Sequence, residues 1–284
     1  MAEWSLARYR YAFALAAVLL LCGGSGSAQA ASSEAHEIWK SSSDGFSIEW
    51  TKKDIVVTRA NAPVLSFEAI AESDWNKISQ PAADQPMQSA RSYRILSAVG
   101  HFLSVEQEDD CDCGGAHPSS SKRFRAIDLS KSAPDRAAST SMTDIFPEGS
   151  ILSALRGDKL VADALKNLEG PQPASLAELV AVIQFKSVQV KDCSYYFGAD
   201  LLSDFAFYAV EGNKVAVRIS LSHAAEVCRG QMTQLGILLP IPESLKTALE
   251  AARSGKSGIL LQQANREFAS AQTSITFATK GYGK

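Results

Sequence analysis

The stretch SVEQEDDCDCGGAHP, residues 104–118, decides the fold because strand-like sequence flanks it on both sides. Before it, Ser92–Glu108 is the longest strand candidate and carries apolar side chains on both faces. After it, Lys122–Leu129 reads KRFRAIDL and has the character of a returning strand. A strand that is partly apolar on both faces suits the centre of a sheet. We therefore predict an antiparallel hairpin with a long, structured tip.

Alternation of apolar and polar residues predicts further strands on both sides of this hairpin. The polar segment Ala31–Asp44 lacks that alternation, and we predict that it is loose. The strand candidates are Phe46–Trp50, Asp54–Arg59, Pro63–Ala71, Lys186–Tyr196, Asp204–Val210 and Lys214–Leu221. The last two are joined by Glu211-Gly212-Asn213, which supplies the positive φ angles of a tight turn.

Helical spacing of apolar residues appears between the two strand-rich parts. Ile151–Leu168 has this spacing, with a break at Gly157-Asp158, and Ser175 with Glu178 forms a capping box for a second helix. A third helix is predicted over Leu245–Arg253. Strands mixed with a few helices, without regular β-α alternation, predict an α+β fold in which antiparallel sheets pack against a few helices. The N- and C-terminal parts are the strand-rich ones.

The first 30 residues have the pattern of a signal peptide. Arginines precede the apolar run Phe13–Leu21, and residues 28–30, AQA, form a cleavage site. We predict cleavage after Ala30, with lipidation at Cys22 as the alternative. No later segment is apolar enough to cross a membrane, so the mature chain is predicted to be periplasmic or secreted. A formal net charge of −3 argues against a nucleic-acid partner.

The mature chain has four cysteines, and an even number in an exported protein favours disulfides. We favour Cys193–Cys228, because each residue lies beside a predicted strand of the same C-terminal unit. That choice leaves Cys111 to pair with Cys113 in a small ring. A crossed arrangement, which would tie the loop to the C-terminal unit, remains the alternative.

The candidate ligand-binding loop contains Asp109, Asp110, Gly114, Gly115 and His117. The two glycines permit a sharp turn or the close approach of another chain. The histidine would be presented to a ligand, and the acidic residues would attract a basic partner. The alternatives are a structural turn and a solvated acidic tip.

Catalytic and metal-binding patterns are weak in this sequence. Cys111, Cys113 and His117 could contribute zinc ligands, but their spacing does not match the usual paired-cysteine sites. The acidic run does not follow the EF-hand pattern. Nucleophile-elbow, zincin, P-loop and dinucleotide-binding motifs are missing as well. We therefore predict no catalytic residues, no metal and no cofactor, and we favour a non-enzymatic protein.

The motif GGAHP at 114–118, the preceding HFLSV at 101–105 and the later SMTDIF at 141–146 resemble an extracytoplasmic bacterial domain. This is domain of unknown function 3298, which often follows a deacetylase-associated 4163-like region. It is shared by the anti-sigma factor that senses lysozyme and by certain peptidoglycan deacetylases. The resemblance covers about Phe46–Ala251. It divides the mature chain into a 4163-like part, residues 31–140, and a 3298-like part, residues 141–284, within one compact unit.

The resemblance implies an α+β fold and a binding role. In the anti-sigma factor the domain captures lysozyme, and in the deacetylases it accompanies a separate catalytic domain. The cysteines before GGAHP, Cys111 and Cys113, depart from the family's pattern. We expect a cell-envelope binding module for a lysozyme-like protein or peptidoglycan. The alternatives are an accessory to a metal-dependent envelope hydrolase or deacetylase, and a purely structural envelope protein.

Overall fold

A computed structural model describes residues 36–79, 86–114, 117–132, 139–166, 168–223, 226–228, 231–263, 268 and 270–280. Within these ranges the chain forms fourteen strands and five α-helices. The strands are β1 (Glu37–Ser43), β2 (Phe46–Thr51), β3 (Ile55–Arg59), β4 (Ala62–Ser66), β5 (Gln88–Val99), β6 (Phe102–Asp112), β7 (Ser119–Asp128), β8 (Ser187–Val190), β9 (Cys193–Tyr196), β10 (Phe205–Glu211), β11 (Lys214–His223), β12 (Thr233–Pro240), β13 (Ile259–Leu260) and β14 (Thr273–Ala278). The helices are α1 (Phe67–Ser79), α2 (Glu148–Arg156), α3 (Lys159–Leu165), α4 (Leu176–Ile183) and α5 (Glu243–Arg253).

The predicted α+β class is confirmed, because helices pack against three antiparallel sheets. The first sheet is the meander β1-β2-β3-β4. The second has the order β13-β5-β6-β7, with β14 also paired to β5. The third contains β8 to β12 around β11. No helix in the described ranges combines the length and the apolar content that a membrane span requires.

Two predictions for the N-terminal part are wrong. The segment Ala31–Asp44 was expected to be loose, but residues from Glu37 onward form β1 on the edge of the meander. The strand predicted over Pro63–Ala71 ends at Ser66, where α1 begins. The helix begins here because Asp54 Oδ1 accepts a hydrogen bond from Glu68 N–H (2.8 Å), and the Ser66 hydroxyl accepts one from Ala69 N–H (3.1 Å). Side-chain acceptors at a helix start satisfy amides that have no intrahelical partner.

The second sheet lies at the centre of the protein and is apolar on both faces, as its sequence predicts. Tyr93 and Leu103 face the core that is shared with the meander and α1. Val99, Phe102 and Ala126 face the core that is shared with the third sheet and its helices. The single strand predicted over Ser92–Glu108 is wrong, because a turn at Gly100-His101 divides it into the antiparallel strands β5 and β6. The returning strand is confirmed: β6 pairs with β7 in a hairpin whose ladder runs from Phe102 opposite Asp128 to Cys111 opposite Ser119.

The C-terminal part follows its predicted elements closely. The helix predicted over Ile151–Leu168 is divided into α2 and α3 at Gly157-Asp158, and the Ser175–Glu178 capping box is present at the start of α4. The strand predicted over Lys186–Tyr196 is instead the hairpin β8–β9. Lys191 adopts a left-handed backbone (φ 55°) in the turn of that hairpin.

Two buried serines join the second and third sheets. The Ser104 hydroxyl of β6 accepts a hydrogen bond from the backbone N–H of Phe207 in β10 (3.2 Å). The Ser220 hydroxyl of β11 accepts one from the backbone N–H of Phe124 in β7 (3.3 Å). Because β7 and β10 are edge strands of their sheets, each serine satisfies an edge amide of the opposite sheet.

Removing either hydroxyl should destabilise the junction between the sheets. Ser104→Ala or Ser220→Ala leaves a buried amide without its acceptor, which costs about 1–3 kcal/mol of unfolding free energy. Urea unfolding measures this loss. Ser121→Ala, at an exposed position of β7, is the control and should change stability by less than about 0.5 kcal/mol. Equal stabilities of all four proteins would contradict the role assigned to the serines.

Candidate functional site

The candidate site is the tip of the central hairpin, which comprises residues 110–114 and 117–119 of the described chain. The β6 strand continues to Asp112, and β7 begins at Ser119. Cys111 still lies within the sheet, opposite Ser89 on one side and Ser119 on the other. The chain therefore leaves the sheet only after Asp112, directly before the turn of the hairpin.

Most of the predicted loop residues lie at the surface of the hairpin tip. Asp110, Gly114 and His117 are exposed. Gly114 has a φ of 84°, the left-handed region that glycine adopts without steric cost. Gly115 lies outside the described residues. The structure thus brings Asp110, Gly114 and His117 to one end of the hairpin.

Asp109 does not belong to this exposed group. Its side chain is 20% exposed and forms an ion pair with Arg91 Nε of the neighbouring strand β5. The Gln107 side-chain amide donates a hydrogen bond to Asp109 Oδ2 (2.6 Å). Asp109 therefore faces the opposite side from Asp110, as alternation along a strand requires.

Asp109 is part of a polar network between α1 and the central sheet, which we call the Arg91 network. Arg91 also pairs with Asp74 of α1 (2.8 Å), and its side chain is 12% exposed. Arg125 of β7 extends the network by donating to Gln107 Oε1 (3.2 Å). The network connects α1 to three adjacent strands through charge-assisted hydrogen bonds.

Burial and neighbouring charges shift the pKa values of this network. Burial lowers the pKa of the Arg91 guanidinium, but Tyr93, Asp109 and Asp74 outweigh burial and raise that pKa overall. Burial raises the pKa of Tyr93, which has no exposed surface, and this effect outweighs the opposing attraction of Arg91. Arg125 is also buried, and burial lowers its pKa. Because its pKa is raised, the Arg91 guanidinium stays charged within the network.

Other acidic residues of the same strand are also paired across the sheet. Glu106 lies 3.6 Å from a guanidinium nitrogen of Arg94, and Glu108 lies 3.1 Å from Lys122 Nζ. Asp112 also has an interaction partner. The acidic run in the sequence is thus largely neutralised by basic residues on the flanking strands. Asp110 is the exposed carboxylate of the run.

The cysteines form the pairing that the sequence analysis favours. Cys111 pairs with Cys113 at the hairpin tip, with Cα atoms 5.3 Å apart. Cys193 of β9 pairs with Cys228, with Cα atoms 5.7 Å apart. The crossed alternative does not occur. The first disulfide closes the end of the hairpin, and the second holds β9 against the turn Glu226–Cys228.

His101 was predicted to lie within the strand Ser92–Glu108, but it lies in the turn between β5 and β6. Its Nδ1 is 3.2 Å from Asp44 Oδ2, and its Nε2 is 3.8 Å from Asp128 Oδ1. The ring borders a cavity of about 270 Å³ that residues of α5 also line. His101 thus links turns from the meander and the central sheet.

A larger cavity, of about 570 Å³, lies between α2 and β12. Its walls come from small residues of α2 and from Gly236, Ile237 and Leu238 of β12. Sequence analysis missed this cavity because its two walls are about eighty residues apart. It also missed the Arg91 network, whose members lie on α1 and three different strands.

Asp204, just before β10, is the clearest perturbed carboxyl group in the third sheet. Burial raises its pKa to about 6, and repulsion by Asp200 adds to this rise. Attraction by Arg123 and Arg125 works in the opposite direction but is weaker than burial. Asp204 therefore carries a charge that the folded protein disfavours at neutral pH.

Comparison with known proteins does not identify a family for this chain. No protein-family model matches the sequence, and none of the curated proteins matches it significantly. Within the ranges that the structure describes, no three histidine, cysteine, aspartate or glutamate side chains cluster closely enough to hold a metal ion. The site is therefore defined by its own geometry: an exposed, disulfide-closed hairpin tip above a buried ionic network.

Two neighbouring aspartates should respond differently to the same substitution. Asp109→Asn breaks the ion pair with Arg91, and we expect a loss of about 2–4 kcal/mol in unfolding free energy. Asp110→Asn, one residue further along, should change stability by less than about 0.5 kcal/mol. Denaturant unfolding of both variants measures the difference. Equal effects would contradict the opposite placement of the two side chains.

Asp204 predicts a pH dependence with a definite sign. Its pKa is higher in the folded protein (about 6) than in the unfolded chain (3.8), so the folded state binds more protons between these values. Asp204 therefore lowers stability progressively as the pH rises through this window. Asp204→Asn should be about 1–2 kcal/mol more stable than the parent near pH 7, and the gain should vanish near pH 4. Thermal unfolding at both pH values tests this, and a pH-independent difference would contradict it.

Proposed function

We propose that this chain is an exported binding module that contacts a protein or peptidoglycan at the cell envelope through its hairpin tip. The observation that carries the proposal is the exposure of His117, Gly114 and Asp110 together at the end of a disulfide-closed hairpin. The resemblance of GGAHP and SMTDIF to the lysozyme-sensing domain supports the same reading. The signal-peptide pattern of residues 1–30 supports an envelope location.

Three features of the hairpin order its tip: the strand ladder, an ion pair and a disulfide. Its β6 strand is hydrogen-bonded to β5 and to β7 as far as Cys111. The ion pair between Arg91 and Asp109 fixes the strands one residue below Asp110. The Cys111–Cys113 disulfide then restricts the chain beyond the ladder. A binding loop that is already ordered loses less conformational entropy when it meets its partner.

The exposed groups at the tip suit a ligand that offers both hydrogen-bond donors and a positive charge. Asp110 contributes a carboxylate, which attracts basic groups and accepts hydrogen bonds. His117 contributes an imidazole that can donate or accept. A surface arginine or lysine of a lysozyme-like protein has matching chemistry, and so do the amides and amino groups of peptidoglycan stem peptides.

The alternative of a metal-dependent envelope accessory has less support from the same geometry. It would require Cys111 and Cys113 as thiolate ligands beside His117. In the structure both sulfur atoms are joined in the disulfide. Binding through the exposed surface of the hairpin tip does not require the disulfide to be broken.

Binding to two defined probes tests the proposal. We expect the purified chain to bind either a c-type lysozyme or intact peptidoglycan sacculi, measured by biolayer interferometry and by co-sedimentation respectively. His117→Ala should weaken binding at least about tenfold, the usual threshold for an anchoring contact. Asp110→Asn should reduce mainly the association rate, because an exposed charge acts largely through steering.

His36→Ala is the matched control, because His36 is an exposed histidine before β1, outside the hairpin tip. It should bind as the parent does. Binding that survives both His117→Ala and Asp110→Asn would remove the tip as the site. No binding to either probe would remove the proposed function itself.

A further inference from the structure

The two disulfides of this protein lie in contrasting environments. Cys193 and Cys228 are 5% and 0% exposed and belong to the core beneath the third sheet. Cys111 and Cys113 are only partly buried, at the end of the hairpin. Thiol–disulfide exchange requires a thiolate to approach one sulfur atom directly, so access controls its rate. The buried pair Cys193–Cys228 is closed to such an approach, whereas Cys111–Cys113 at the hairpin tip is open to it.

The two disulfides also constrain different lengths of chain. Cys193 and Cys228 are 35 residues apart, and their bond ties β9 to the turn Glu226–Cys228. Cys111 and Cys113 are separated by 2 positions. A cross-link that closes a short loop contributes less to stability than one that closes a long loop. Opening the tip disulfide should therefore cost the fold little.

The sheet gives the two tip cysteines different freedom. Cys111 is held in the ladder between Ser89 and Ser119. Cys113 lies beyond the last residue of β6 and has no strand partner in the described sheet. When the disulfide opens, Cys111 can keep its place while Cys113 moves. The fold can therefore accommodate both the disulfide and the dithiol.

We propose that Cys111–Cys113 is an exchangeable, redox-active disulfide that accepts two electrons from a partner dithiol, whereas Cys193–Cys228 is structural. This activity goes beyond the proposed binding function and does not depend on it. The site is assigned by exposure, ring size and strand placement together.

The exchange is balanced as two successive displacements. A partner thiolate attacks Cys113 Sγ, a mixed disulfide forms, the Cys111–Cys113 bond breaks, and Cys111 leaves as a thiolate. The second thiol of the partner then attacks the mixed disulfide and displaces Cys113. The partner is oxidised to a disulfide, the pair is reduced to a dithiol, and the partner's two protons end on the two cysteine thiols.

Charge at the tip selects the class of thiol. Asp110 precedes Cys111 directly and is the exposed carboxylate of the tip. An anionic thiol is repelled there, and a cationic thiol is attracted. The favoured partner is therefore a dithiol that lies within basic sequence.

Graded reduction of the purified, oxidised protein under native conditions tests the assignment. Cysteamine, a cationic thiol, should open Cys111–Cys113 at least about tenfold faster than Cys193–Cys228, as followed by alkylation and peptide mass. The midpoint of thermal unfolding should stay nearly unchanged after the tip disulfide opens. Simultaneous opening of both disulfides, or opening that requires denaturant, would overturn the proposal.

The charge preference provides a second, independent measurement. At equal thiolate concentration, cysteamine should react about threefold faster with the tip than 2-mercaptoethanesulfonate does, and high salt should remove the difference. Asp110→Asn should bring this ratio close to one. A ratio that is the same in parent and variant would contradict the role of tip charge.

Electron transfer is then measured directly with a reduced, basic two-cysteine peptide as the dithiol probe. The oxidised protein should convert one peptide to its disulfide per molecule. The Cys111→Ser/Cys113→Ser double variant should fold and lose this transfer. Transfer that persists in the double variant would assign the activity to Cys193–Cys228 and overturn the proposal.

Discussion

The architecture depends on how two open sheets meet at their edges. A strand at the end of a sheet has unpaired N–H and C=O groups, and burying them without partners is costly. Here the β7 and β10 edges meet inside the protein, and Ser220 and Ser104 supply acceptors across the boundary. Each serine belongs to the strand next to its own sheet's edge strand. The arrangement is reciprocal, so neither sheet can shift along the other without losing a buried hydrogen bond.

This junction also positions the hairpin. Ser104 lies on β6, the strand that continues to the tip, and Phe124 lies on its returning partner β7. Packing of Phe102 against Phe207, with ring centroids 5.9 Å apart, reinforces the same contact. Both legs of the hairpin are therefore anchored in the core. An exposed loop on anchored strands combines surface access with a fixed direction, which is the usual arrangement of binding residues.

Sequence predicted the parts of the fold that local patterns control. Alternation located β10 and β11, and the Ser175–Glu178 pair located the start of α4. Prediction failed at Phe67, where the apolar run continues but side-chain acceptors from Asp54 and Ser66 start a helix. That outcome depends on a residue fourteen positions away. A short sequence window that detects strand alternation around Phe67 does not include Asp54.

At the candidate site, too, prediction succeeded where the signal is local and failed where a residue on another strand decides the outcome. The sequence located the tip and its exposed His117, because glycine and proline mark the turn directly. It could not separate Asp109 from Asp110, since both appear as members of one acidic run. Their roles are decided by Arg91, which lies on another strand and reaches only one face of the sheet. Cross-strand partners depend on register, and register is set by tertiary packing.

The acidic run illustrates why charge in a sequence is a poor measure of charge at a surface. Five acidic residues between Glu106 and Asp112 suggest a strongly negative patch. Ion pairs with Arg91, Arg94 and Lys122 neutralise three of them within the sheet. Selectivity at the tip must therefore arise from a few groups in fixed positions rather than from a broad field. Because those groups flank the Cys111–Cys113 disulfide, any partner that they attract is brought to the sulfur atoms as well.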